Sequence, residues 1–294
     1  MTFKHEASGI AASVFLACYT FYTITALYIY VRQGWKHIYT FLLMFGIIRL
    51  ASQLCAVVFA AVGLAHWQWL VAYLVLGAEG YFTLIYTSMR FICDAQKKAY
   101  GISWVMSTAP KFKSTKIQKF CSSYLKIFHL VLIPANVLII AGGSLLSGVD
   151  SAEYSQLHHK VTIARILRTI GQSIFLALTP AMILLNLFAY YKERIRNHFT
   201  ISIFLASPFL LVRGIFGILS IYVKDMNRIQ LSNYINDGVT SKYVIYEYVL
   251  GTTMEFVAGT ILISNYFLAQ RKNKILREAT IESTASKELT ISTP

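Results

Sequence analysis

Charge is scarce in this chain. Asp, Glu, Lys and Arg make up 14% of its 294 residues, against about 25% in an average soluble domain. The shortage is sharpest among the acids, 13 against 27 Lys and Arg. A surface this poor in charge will not dissolve a chain that is 56% hydrophobic, with mean hydropathy +0.56. Five prolines are too few to break its long apolar runs. The four cysteines are Cys18 and Cys55 inside such runs and Cys93 and Cys121 at run ends, so no pair is placed for an extracellular disulfide. Cys93 and Cys121 sit where a membrane-proximal thiol can be acylated, although an idle thiol is the plainer reading.

Catalytic signatures are missing too. There is no phosphate-binding glycine loop, no Ser-hydrolase elbow and no His-Glu-x-x-His pattern. His158 and His159 are adjacent, but no second ligand pair stands at metal-site spacing. No catalytic, cofactor-binding or metal-ligating residue is therefore assigned. The last apolar run has no lysine for a retinal Schiff base, since Lys242 lies at its mouth. The third run ends without an acidic-Arg-Tyr triplet and the seventh has no Asn-Pro pair, which argues against ordinary G-protein coupling. Consensus N-glycosylation sites are also absent.

What the chain has is apolar length. Seven runs of roughly 20 residues, each enough to cross a bilayer as a helix, fall at 9–31, 38–64, 69–91, 120–146, 163–190, 199–222 and 243–268. The fold expected is an all-α polytopic membrane bundle of seven transmembrane helices spanning residues 1–268. A basic and then Ser/Thr-rich tail, 269–294, is expected to be disordered. The first run lacks a preceding basic segment and a cleavage pattern, so it reads as a retained helix.

Most Lys and Arg lie in alternate loops: Arg32 and Lys36, the stretch from Lys97 to Lys119, Lys192 to Arg196, and Arg271 to Lys287. The opposite loops hold only Lys4, Lys160, Lys224, Arg228 and Lys242. The positive-inside rule then puts the N-terminus outside and the C-terminus in the cytosol. The net charge of +14 is thus assigned to anionic inner-leaflet lipid rather than to nucleic acid. The inner loop 94–119, with Trp104 and Met106, is expected to lie along that leaflet. Arg90, Lys126, Arg165 and Arg168 sit near run ends and are read as snorkelling to the interface. The span lengths suit plasma membrane and endomembranes alike.

The candidate site comes from charges that fall inside the runs: Arg49, Glu79, Arg213, Glu247 and Glu255, with Gln53 one turn from Arg49. Such groups are costly in lipid and mark ligand or ion pathways by default. Glu247, Gly251, Glu255 and Gly259 recur every four residues, which keeps them near one helix face with small residues between the carboxylates. The five charges are expected to share one layer from mid-membrane outward. Two arginines against three glutamates leave one carboxylate without a cation, expected to be protonated at neutral pH. A buried network that only fixes helix register is the plainer alternative.

Three stretches carry a resemblance: YTFLLMFGIIRLASQ from Tyr39, SPFLLVRGIFGILS from Ser207, and the acidic YVIYEYVLGTTMEFVAGTILI from Tyr243. They resemble a family of fungal seven-helix integral membrane proteins that carry a domain of unknown function. In plan the chain is also similar to the fungal lipid-translocating exporters. The tight Arg-x-x-Glu pairing of those exporters has no counterpart here, where Gly214, Ile215 and Phe216 follow Arg213. The resemblance implies the seven-helix fold and inward placement of Arg49, Arg213 and Glu255.

The function expected is transport or sensing of an amphipathic lipid-like or small metabolite molecule, with membrane lipid as the other partner. Two alternatives remain. One is a membrane-embedded cyclase or isomerase of a secondary-metabolite pathway, with a protonated glutamate as general acid in a pocket drawn from 19 Tyr and 19 Phe. The other is a seven-helix receptor or scaffold using the basic loop and the tail.

Overall fold

A computed structural model describes residues 6–35, 37–63, 66–107, 122–145, 158–227, 233–235 and 238–291. The apolar runs fold into α1 (Glu6–Gln33), α2 (Tyr39–Val62), α3 (Gln68–Tyr100), α5 (Tyr124–Ser144), α6 (His158–Tyr191) and α7 (His198–Tyr222), with a one-turn α4 (Trp104–Ser107) after α3. A final helical run comprises α8 (Ser241–Tyr246), a π-helical segment (Glu247–Thr253) and α9 (Met254–Ile291). α9 carries on through the stretch that the sequence reads as a tail. A 3-10 turn (Lys224–Met226) and a two-residue antiparallel pair, Tyr234–Ile235 with Gly238–Val239, link α7 to α8.

Six helices among the described residues are long and apolar enough to cross a membrane: α1, α2, α3, α5, α6 and α7. The seventh expected run is helical as well, but its π segment divides it.

Large apolar side chains also cover the exterior of the bundle. On α1, Phe21 and Val31 are each 74% exposed, beside the exposed Ile10, Val14 and Ile24. An apolar face that long would not stand against water, whereas in lipid it needs no partner. The protein is a multi-pass membrane protein.

Inside, successive helices pack on one another, α1 on α2, α2 on α3, α5 on α6 and α6 on α7, while α9 closes against α7. α3 is the central element, touching α2, α5, α6, α7 and α9. Pro134, Pro180 and Pro208 lie inside α5, α6 and α7 as the sequence places them.

Several boundaries differ from the expectation. α3 runs nine residues past Phe91, so 94–100 is helix rather than loop. The apolar stripe continues through the buried Ile92 and Ala95, and Gln96 is tied down from both ends. Its Nε2 donates to both Glu193 carboxylate oxygens at 3.2 and 3.0 Å, and its Oε1 accepts from Ser103 Oγ at 2.7 Å. Gly101, at φ +77°, then ends the helix by donating to the Lys97 carbonyl. Trp104 turns back onto the same knot, its Nε1 donating to Glu193 at 2.5 Å, and Val105 is fully buried. Residues 108–121, with the rest of the basic loop and Cys121, lie outside the described residues. Cys93 is fully buried, which removes it from acylation. His158 and His159 open α6 instead of lying in a loop.

Candidate functional site

Two helices deliver an arginine each to one carboxylate of a third. Arg49 comes from the middle of α2, Arg213 from α7, and Glu255 is the second residue of α9. Arg213 Nε donates to Glu255 Oε1 at 2.5 Å, and Arg49 Nε stands 2.7 Å from Oε2. All three are shut off from the exterior, with residue exposures of 2% for Arg49, 4% for Arg213 and 0% for Glu255. A carboxylate has two oxygens with lone pairs to spare, so it can take one guanidinium on each.

Aromatic rings hold the guanidinium groups from the side. The Arg49 Cζ lies 5.7 Å from the Tyr19 ring centre; that of Arg213 lies 5.3 Å from Tyr81 and 5.8 Å from Phe216. Tyr81 is itself fixed, its hydroxyl 2.8 Å from Thr179 Oγ1 and donating to the Leu210 carbonyl at 3.1 Å. α3 contributes an absence at this level. A Cβ on Gly80 would fall 2.7 Å from both Arg49 Cδ and Glu255 Oε2. Glycine at this position lets the ion triad lie against the backbone of the central helix.

The other two expected carboxylates do not join the arginines. Glu247, 4% exposed at the start of the π segment, accepts from the Tyr73 hydroxyl at 3.2 Å and from Tyr243 at 3.5 Å. Glu79 is half-buried on α3 and accepts from Asn136 Nδ2 of α5 at 2.5 Å. Glu79 precedes Gly80 by one residue, about 100° around the helix, so it faces α5 while Gly80 faces the triad. The expected single layer of five charges is thus a triad with two satellites. Tyrosine hydroxyls donate to Glu247 and the Asn136 amide donates to Glu79.

Gln53 is fully buried one turn from Arg49, and its amide makes no hydrogen bond among the described residues; nor does the buried Thr252 hydroxyl. Orphaned polar atoms of this kind are rare in interiors and call for an explanation. Here they fall between the triad and the Tyr73–Glu247 level. His129 packs its ring 4.7 Å from Tyr86, with Nδ1 unpartnered among the described residues.

Sequence reasoning missed Arg168. It was grouped with Arg165 as a snorkelling residue; Arg165 is exposed, but Arg168 is 8% exposed and lines a small cavity with Arg213. The signal was its register. Arg168 falls on the stripe of Ala164, Gly171, Phe175, Met182 and Ala189 that α6 buries. Among the described residues no three His, Cys, Asp or Glu side chains gather to hold a metal ion. Chemically, a carboxylate shared by two fixed guanidinium groups, with further buried carboxylates at neighbouring levels, suits exchange of ion-pair partners.

No curated protein and no solved structure shows a significant match to the chain. A family described as a domain of unknown function, DUF7702, matches residues 6–264, which takes in the bundle and all six candidate residues. The chain belongs to the DUF7702 family.

Proposed function

We propose that the protein is a seven-span membrane protein, N-terminus outside and C-terminus in the cytosol, that binds an amphipathic lipid-like or small metabolite molecule within the bilayer and moves or senses it. The observation that carries this reading is the Arg49–Glu255–Arg213 triad, enclosed at the meeting of α2, α3, α7 and α9. A register device needs one pair, whereas this centre has a second arginine and the orphaned Gln53 amide beside it. An anionic group entering the bundle would compete with Glu255 for a guanidinium, and that exchange would loosen the link between α7 and α9. The π segment that ends at Thr253, two residues before Glu255, supports the same reading, because such segments are frequent at functional sites.

Reconstitution tests it. Full-length protein in phosphatidylcholine vesicles is expected to bind an acyl-labelled fluorescent amphiphile saturably, and Arg213→Gln or Glu255→Gln to lose that binding. Quenching of the probe from the outer leaflet separates movement from sensing. A folded wild type with no saturable binding would end the reading. Cysteines placed by Lys242→Cys and Arg196→Cys should react with an impermeant maleimide from opposite sides of the vesicle.

A further inference from the structure

Where α1 turns into α2, the chain leaves a groove against the last turns of α3. Gly34, at φ +81°, closes α1 by donating to the Tyr30 carbonyl at 2.8 Å. The link then carries Trp35 and His37 into α2, whose N-terminus no side chain caps. Between this link and α3 the groove has a volume of about 780 Å³, within the roughly 300–1,000 Å³ of sites that hold small molecules.

One face of α3 supplies its charge. Arg90, Asp94, Lys97 and Lys98 all line the groove, at offsets of four, seven and eight residues that keep them on one side of a helix. Three cations thus stand with one carboxylate among the described lining residues. Arg90 is half-buried, its Cζ 5.3 Å from the Phe41 ring centre and 5.6 Å from that of Tyr86, and its Nε makes no hydrogen bond among the described residues. Lys97 and Lys98 are exposed, about 10 Å further along the axis. Lys98 Nζ rests 4.1 Å from the Phe199 ring centre. Across from α3, Ile38 and Thr40 at the start of α2 line the same space, so the positive end of the uncapped helix dipole adds to the field.

The groove also opens onto lipid. Met44 of α2 lines it and is 50% exposed, and Ile47, 51% exposed, continues the apolar surface along the helix. Trp35, 76% exposed, stands at the mouth as an interfacial residue does. We infer that this groove is a binding site for the phosphate-bearing headgroup of an anionic membrane phospholipid, with the phosphate between Arg90 and Lys97 and the acyl chains running along the exposed side of α2. The basic excess of the sequence implies a diffuse attraction to anionic lipid; the groove makes of it one defined site. On the proposed topology it faces the cytosolic leaflet, where anionic lipid is concentrated. The site shares no residue with the Arg49–Glu255–Arg213 triad and stands whether or not the triad exchanges partners.

Native mass spectrometry of the full-length protein, released from detergent micelles with added phosphatidate, phosphatidylserine or phosphatidylcholine of the same acyl chains, counts the lipids that stay bound. Wild type should retain an anionic lipid in preference to phosphatidylcholine. Lys97→Gln with Lys98→Gln alters only exposed side chains and should fold normally. It should weaken the anionic lipid by about tenfold or more, at roughly fivefold for each basic residue near an anionic surface. Arg90→Gln should act in the same direction. Asp94→Asn removes the carboxylate that opposes the headgroup and should tighten binding. Arg32→Gln with Lys126→Gln takes two exposed positive charges from the same end of the bundle but outside the groove, and should leave binding unchanged.

Retention of phosphatidate or phosphatidylserine that falls with the Lys97 and Lys98 pair, rises with Asp94→Asn and ignores the Arg32 and Lys126 pair supports the site. An equal loss in the Arg32 and Lys126 pair means attraction to the whole basic end and overturns it, as does folded wild type with no preference for anionic lipid. Displacement of the lipid by soluble glycerol 3-phosphate at equal concentration assigns the phosphate to a soluble ester and overturns the lipid as occupant. Each of these outcomes leaves the reading of the triad standing, because Arg49, Arg213 and Glu255 are unchanged throughout.

Discussion

Glu255→Gln is the most informative single change, because it leaves two buried guanidinium groups facing one another with no anion between them. At 2.5 and 2.7 Å and an effective dielectric constant of ~20, each Arg–Glu contact is worth roughly 6 kcal/mol of gross attraction. Repulsion between the arginines and the loss of hydration of three ions offset much of that sum, and removing one partner of a buried pair costs about 3–5 kcal/mol net. Removing an arginine is a different perturbation. Arg49→Met leaves Arg213 and Glu255 as a neutral pair, and Arg213→Met leaves Arg49 and Glu255, so each should cost about 1–3 kcal/mol. The expected order is Glu255→Gln well above either arginine variant. Reversible unfolding in mixed micelles with increasing SDS, followed by tryptophan fluorescence, measures it. Should Glu255→Gln prove no more destabilising than Arg49→Met, Glu255 is not the shared counter-ion and the account of the site fails.

Other consequences follow from the same geometry. Gly80→Ala drives a methyl group to 2.7 Å from Arg49 Cδ and Glu255 Oε2, atoms that their mutual pairing keeps from moving, and is expected to cost about 1–3 kcal/mol in the same unfolding assay. Tyr73→Phe removes the nearer donor to Glu247, at 3.2 Å against 3.5 Å for Tyr243; it should cost about 1.5–3 kcal/mol and more than Tyr243→Phe does. His37, in the α1–α2 link, has its pKa lowered first by burial and then by Lys98, against an opposing effect of Asp94. A histidine whose folded pKa is depressed stabilises the fold while neutral, so this contribution is present above about pH 6.5 and is lost as pH falls through that value towards the folded pKa. Carbon-13 NMR of labelled histidine should show His37 titrating below the usual value, with Asp94→Asn lowering it further and Lys98→Gln raising it.

Hydropathy made the membrane class and the helical runs legible, because a bilayer demands about 20 apolar residues whatever the function. The inward face of the last run was legible too. Glu247, Gly251, Glu255 and Gly259 are all buried, as their spacing of four implies. Pairing was not legible, since sequence spacing says how deep a charge lies but not which neighbour it faces. Glu79 and Gly80 differ by one residue and face different helices; a count of two arginines against three glutamates could not reveal that both arginines choose Glu255. Arg168 was missed for a related reason. Closeness to a span end suggested snorkelling, whereas its register with Ala164 and Phe175 on α6 decides that it turns inward. The apolar stripe through Ile92 and Ala95 and the closing Gly101 mark the continuation of α3 past Phe91 locally, but its anchor, Glu193, is distant in sequence.

The π segment explains how one helix presents two acids to two sets of partners. Along an ideal α-helix, residues eight apart differ by about 80° in direction, which would set Glu247 and Glu255 at opposite edges of one inward face. The wider turns of Glu247–Thr253 take back part of that drift, and Thr253 Oγ1 bonding to the Tyr248 carbonyl, five residues earlier, reflects the altered spacing. Glu247 then meets Tyr73 of α3 and Tyr243 of its own helical run, while Glu255 meets Arg49 of α2 and Arg213 of α7. Two levels of the bundle are thus joined through a part of the helix whose backbone bonding is irregular. A purely structural ion network would be better served by a regular helix. The irregular segment between the acids is the feature that favours a centre able to exchange partners.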